Sequence, residues 1–153
     1  EKMATKQPKN QPEYYLQVLV CKYLRVQYPD ILFMSDTIAQ VKLTIPQQSR
    51  NKAIQKNRFK CPDLIIFEPN EKYNGLFIEL KASTPYKKDG TLLSNEHNEL
   101  QEETMAKLRA KGYYACFAWD FGQVVKLIKD YLNNELYFKS LPAISIKTKF
   151  LNQ

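Results

Sequence analysis

Two short apolar runs, Leu64-Ile65-Ile66-Phe67 and Leu76-Phe77-Ile78-Glu79-Leu80, stand close together, with Pro62-Asp63 before the first and Gly75 before the second. Runs this short and this apolar, bounded by turn residues, read as adjacent buried strands. Antiparallel pairing brings Asp63, at the start of the first strand, to the same sheet edge as Glu79 and Lys81, at the end of the second. Side chains alternate along a strand, so Glu79 and Lys81 share one face while Ile78 and Leu80 enter the opposite layer. Charged groups at the ends of buried strands need compensation, and a divalent cation compensates paired carboxylates well. Oxygen ligands without histidine or thiolate select a hard ion, Mg²⁺ or Mn²⁺ rather than zinc.

The remaining pattern supplies the elements around that hairpin. Pro12 and Glu13 open a helix that runs to about Tyr28 and stops at Pro29, with Leu16, Val20 and Leu24 as its buried stripe. Glu13 lies three residues before Leu16 and so faces inward on the rim of that stripe. Ile31 to Met34 reads as a first strand. Val41, Leu43 and Ile45 alternate as an extended segment that Pro46 ends, and Gln47 to Lys60 has no apolar face. Ala82 to Leu93 is a loop turning at Asp89-Gly90. Ser94 caps the next helix, whose inward face is His97, Gln101, Met105 and Leu108 and whose end is marked by Lys107, Arg109, Lys111 and Gly112. Tyr113 to Trp119 forms another strand, and Asp120 caps a last helix with the stripe Phe121, Val124, Val125, Ile128 and Tyr131. The order helix, strand, strand, strand, helix, strand, helix defines an α/β domain, a small mixed central sheet flanked by helices, over residues 12–133. A polar, flexible arm, residues 1–11, precedes it. An extension, residues 134–153, follows, and its Leu136, Phe138, Ile144 and Ile146 suit docking on the domain or on a second subunit in a homodimer.

At 153 residues the chain makes one domain with a sizeable core. Its net charge of +7 favours an anionic partner, nucleic acid before a membrane surface. Arg50, Lys52, Lys56, Arg58 and Lys60 occur with no acid among them and lead straight to Asp63, while Lys87 and Lys88 follow the other strand. Both groups read as contacts to nucleic-acid phosphates that position the partner without reading its sequence. No apolar run approaches the roughly 18 residues of a membrane span, which argues against a membrane protein and for a cytoplasmic setting. Cys21, Cys61 and Cys116 are odd in number, far apart and in apolar contexts, as reduced core thiols are. Tyr14, Tyr15, Tyr23, Tyr113 and Tyr131 sit on periodic elements and read as core or half-buried. His97 reads as a helix-rim residue ahead of a general base, and Asp36 as a turn residue.

Taken together, Glu13 on the first helix, Pro62-Asp63, Glu79-Leu80-Lys81 and Gln101, eleven residues before Gly112, resemble the PD-(D/E)XK (restriction-endonuclease-like) nuclease superfamily and, within it, the VRR-NUC family. The run Tyr86-Lys87-Lys88-Asp89-Gly90-Thr91 and the spacing from His97 to Gln101 resemble its phage and bacterial members. The resemblance covers roughly Glu13 to Leu132 and departs at Lys60, where members often carry glycine. It implies a Mg²⁺- or Mn²⁺-dependent endonuclease acting on flap or branched DNA in repair or recombination. On that basis Asp63, Glu79 and the Leu80 carbonyl hold the ion, and Glu13 serves an outer or second site. Lys81 serves the attacking water, and Gln101 orients the lysine, the water or the phosphate. The rivals are a sequence-specific restriction-type nuclease and a non-catalytic DNA-binding or assembly module on the same fold.

Overall fold

A computed structural model describes residues 11–36 and 42–136. The element order is α1 (Pro12–Gln27), β1 (Phe33–Ser35), α2 (Ile45–Ile54), β2 (Leu64–Ile66), β3 (Leu76–Leu80), α3 (Glu96–Ala110), β4 (Tyr114–Ala118) and α4 (Phe121–Leu132). The strands form one four-stranded sheet in the order β1-β2-β3-β4, antiparallel through β3 and parallel between β3 and β4. A parallel pair needs a crossover, and α3 supplies it.

Alternation along the strands divides the core into two layers. Leu64, Ile66, Leu76, Ile78, Leu80, Tyr114, Cys116 and Ala118 face α1 and α4, where they meet Leu16, Val20, Leu24, Val124, Ile128 and Tyr131. Ala115 and Phe117 face α3, where they meet Met105 and Leu108 and where Phe77, Tyr113 and Trp119 pack beside them. Each fully buried aliphatic side chain contributes roughly 1.5–3 kcal/mol, so the sheet is fixed from both sides. The loop between β2 and β3 is tied to α4, because Tyr131 Oη donates to the Glu68 carbonyl at 2.7 Å and Asn70 Nδ2 donates to the Tyr131 carbonyl at 2.9 Å.

Several sequence expectations are corrected. Pro46 does not end an extended segment; it stands in the first turn of α2, whose Thr44 cap and Gln47 form a capping box. No residue of α2 is buried, so the helix has no apolar periodicity to read. The cap of α3 is Asn95, which accepts from the Asn98 amide, and not Ser94. His97 is exposed, and the inward positions around it belong to Asn98, Gln101, Thr104, Met105 and Leu108. Cys61 is exposed rather than a core thiol, while Cys116 is buried. Tyr14 is exposed as well. Gly112 has φ +85, and its carbonyl accepts from the Asn74 amide at 2.8 Å, which joins the end of α3 to the start of β3. The arm up to residue 10, Val41, and the extension from residue 137 onward lie outside the described residues. Leu136, the last of them, is buried in the core on the α1/α4 face.

Candidate functional site

The register of β2 on β3 pairs Leu64 with Ile78, and one step further along the same ladder sets Asp63 opposite Glu79. The two acids therefore leave the sheet on its α3 face at the strand ends. Asp63 Oδ2 accepts from the Leu80 amide at 2.8 Å, which locks the carboxylate across the hairpin. Its backbone is fixed from the other side: Gln17 Nε2 donates to Ser35 Oγ at 2.6 Å, and Ser35 Oγ donates to the Asp63 carbonyl at 2.8 Å. A chain of bonds thus runs from α1 through β1 to the aspartate.

Glu79 is 5% exposed and Lys81 9%, and α3 closes over both. Gln101, 2% exposed, links them: Lys81 Nζ donates to Gln101 Oε1 at 2.6 Å, and Gln101 Nε2 donates to Glu79 Oε1. The amide offers one acceptor and one donor, which is what an amine and a carboxylate on the same strand require. The Lys81 ammonium also lies 5.5 Å from the centre of the Phe117 ring, a favourable cation–π distance.

Glu13 arrives from the opposite layer. It is exposed rather than inward, but its Oε1 accepts from the Ala82 amide at 3.2 Å, immediately beyond Lys81. Glu13 and Lys81 border a cavity of about 210 Å³ together with the 82–85 turn, Leu93 and Asn98.

The electrostatics follow from packing acids together out of water. Burial and the neighbouring Asp63 push the Glu79 carboxyl up to about 8. Burial also raises Asp63, against the Leu80 hydrogen bond that lowers it. Two crowded carboxylates that resist ionisation are the response expected where a cation belongs. The donor set is oxygen only, which fits a hard divalent ion that keeps several waters. Among the described residues no group of three or more His, Cys, Asp and Glu side chains is gathered so that it could hold a metal ion.

The basic residues divide into two sets. Arg50, Lys52 and Lys56 are exposed along and just after α2. Arg58 instead pairs with Glu103 of α3 at 2.6 Å, and the Lys60 amide donates to Thr104 Oγ1 at 3.1 Å, so the end of the run is fastened to α3. Lys87 and Lys88 are exposed on the loop closed by the Tyr86–Leu92 bridge. Asp36 lies beside the site through its main chain, where its carbonyl accepts from Gln17 at 3.1 Å. Sequence reasoning missed Gln17, Ser35 and Asn98; the signal for Asn98 was its place three residues before Gln101, on the same helix face.

These features define a restriction-endonuclease-like α/β core with its polar residues collected at one end of β2 and β3. The fold is similar to that of a solved structure described as a VRR_NUC domain protein, with 21% sequence identity, a TM-score of 0.56 and coverage of 82% of this chain and 91% of that one. No family model and no curated protein matches the chain. No helix among the described residues is long and apolar enough to cross a membrane.

Proposed function

We propose that the chain is a metal-dependent endonuclease that hydrolyses phosphodiester bonds in DNA. The observation that carries this reading is the pairing of Asp63 with Glu79 across the hairpin, with Gln101 joining Glu79 to Lys81. Asp63, Glu79 and the Leu80 carbonyl would hold Mg²⁺ or Mn²⁺, with Glu13 at an outer or second position. Such an ion polarises the phosphoryl group and makes water acidic enough to attack at neutral pH.

The chain's own groups do the rest. Gln101 orients the Lys81 ammonium, so that it can align the attacking water and offset charge that builds on the phosphate. Asp63 is held rigid by Leu80 and Ser35, which keeps the ion-binding oxygens in place between turnovers. Arg50, Lys52 and Lys56, with Lys87 and Lys88, lay the DNA across the site through its phosphates. The likeness in fold to the VRR_NUC domain protein supports a nuclease, and branched or flap DNA is the substrate class that the sequence resemblance to the VRR-NUC family implies.

The test is cleavage of plasmid, flap and four-way-junction DNA with Mg²⁺, Mn²⁺ or chelator. The wild-type chain is expected to cut with either metal and not with chelator, and Asp63→Asn and Lys81→Ala to lose about 1,000-fold in rate. Uncut DNA with both metals, or undiminished cutting by both variants, overturns the proposal.

A further inference from the structure

A second amine stands beside this cluster. Lys60 belongs to the segment between α2 and β2, and that segment is fixed: the Lys60 amide is held by Thr104, and Phe59 packs against the layer that contains Met105 and Leu108. The side chain is half-buried, and its Nζ lies 3.0 Å from His97 Nδ1 and 3.0 Å from Nε2. Burial and the neighbouring lysines hold the His97 ring below its ordinary value, which keeps it neutral and able to accept a hydrogen bond. An ammonium carries three donors, and a neutral imidazole satisfies one.

Among the described residues Lys60 forms no ion pair with a carboxylate. Burial holds the Lys60 amine below its ordinary value, and of the charges around it Glu79 acts most strongly, followed by the opposing Lys81 and then by Asp63 and Glu13. A partly desolvated ammonium without a paired anion is costly, and an incoming anion removes the cost. Glu79 and Asp63 are also the two carboxylates proposed to hold the ion, so the anion that completes this cluster is the reacting phosphate and not a neighbour further along the duplex.

We propose that Lys60 is a catalytic residue of the nuclease site, donating to a non-bridging oxygen of the phosphate that is cut, and that His97 is its positioning residue. The inference rests on the nuclease reading above. It separates Lys60 from the exposed cations of α2, which contact phosphates without taking part in the reaction.

The experiment uses the full chain and an oligonucleotide whose cut position is mapped with the wild type, then remade with each phosphorothioate diastereomer at that bond. Lys60→Met is expected to lower kcat/KM by about 100-fold and His97→Ala by about tenfold, while Lys60→Arg keeps most of the activity. Metal affinity, followed by Mn²⁺ titration, stays near wild type in Lys60→Arg and His97→Ala and is not weakened in Lys60→Met, which removes a positive charge beside Glu79. In the wild type, one diastereomer is expected to react slowly in a way that Mn²⁺ does not relieve, and Lys60→Met is expected to erase that sulfur effect. A purely structural role would leave the effect in place. If the wild type cuts and Lys60→Met cuts within about threefold of it, or keeps the full sulfur effect, the inference is overturned. A wild type that cuts nothing overturns the nuclease reading itself and this inference with it.

Discussion

Gln101 meets two charged partners with one uncharged group, and its burial makes both bonds consequential. Without it, the Lys81 ammonium loses the acceptor at 2.6 Å and Glu79 loses a donor, in a place that solvent barely reaches. Unsatisfied buried groups of this kind cost about 1–3 kcal/mol each, and more when charged. Gln101→Leu, similar in size, is therefore expected to lower folding stability by about 2–4 kcal/mol and turnover by about 100-fold, read by urea denaturation and by initial rates. Gln101→Glu separates the two effects. It gives Lys81 a stronger partner but sets a further carboxylate against Glu79, beside Asp63 and Glu13, so turnover should fall while metal-free stability becomes more dependent on pH. Retained turnover in both variants would remove Gln101 from the site. The inward position of Gln101 was legible from a helix face shared with Met105 and Leu108, while its role beside Lys81 was implied only by the family resemblance.

The elements differ in how plainly they announce themselves. β2 and β3 were readable as short apolar runs between turn residues, and the strict period of two in a strand then sets Glu79 and Lys81 on one face. α2 was not, since a helix exposed on every side has no stripe and leaves only its capping signals; proline, which both ends strands and opens helices, pointed the wrong way. His97 and Asn98 were exchanged for a related reason: one residue is about 100° of rotation, enough to turn an inward position outward. The site's second layer, Gln17 to Ser35 to Asp63, joins three elements and has no local sequence signal at all. The exposed charge of α2 gives a prediction at this scale. Replacing Arg50, Lys52 and Lys56 with glutamine should weaken DNA binding and reduce the slope of log affinity against log salt by about 0.9 for each phosphate that is no longer neutralised, with the cutting rate on saturating DNA unchanged. An unchanged slope in a salt titration would exclude α2 from the DNA path. Arg58 is left out of this variant because it also pairs with Glu103, and its replacement would disturb the link to α3 as well as any phosphate contact.

At the scale of the whole molecule, the acid pair links folding to pH and to metal. Glu79 is raised from its ordinary 4.5 to about 8 by burial and by Asp63, so the folded chain holds a proton there that the unfolded chain has released. The stabilisation from that proton is complete below about pH 4.5 and is lost as pH rises through 8. The slope is at most about 1.4 kcal/mol per pH unit. His97 acts in the opposite sense: it is held below its ordinary 6.5, so its effect on stability ends near that pH. Glu103, lowered to about 2 by Arg58 and Lys107, acts only in acid, and Cys116, pushed up to about 12 by burial, acts only in alkali. The window from pH 6.5 to 8 therefore isolates the site. In chelator, the thermal midpoint of the wild type should fall across that window relative to Glu79→Gln, which cannot ionise. A divalent ion reverses the trend, because it replaces the proton as the charge that Glu79 and Asp63 require; Mg²⁺ should raise the midpoint more at pH 8 than at 6.5 and should not raise it in Glu79→Gln. Calorimetric titration in buffers of different ionisation enthalpy should register proton release on metal binding at pH 7. A metal-induced rise in midpoint that is equal at both pH values, with no proton released, would mean that the ion does not bind at the Asp63–Glu79 pair.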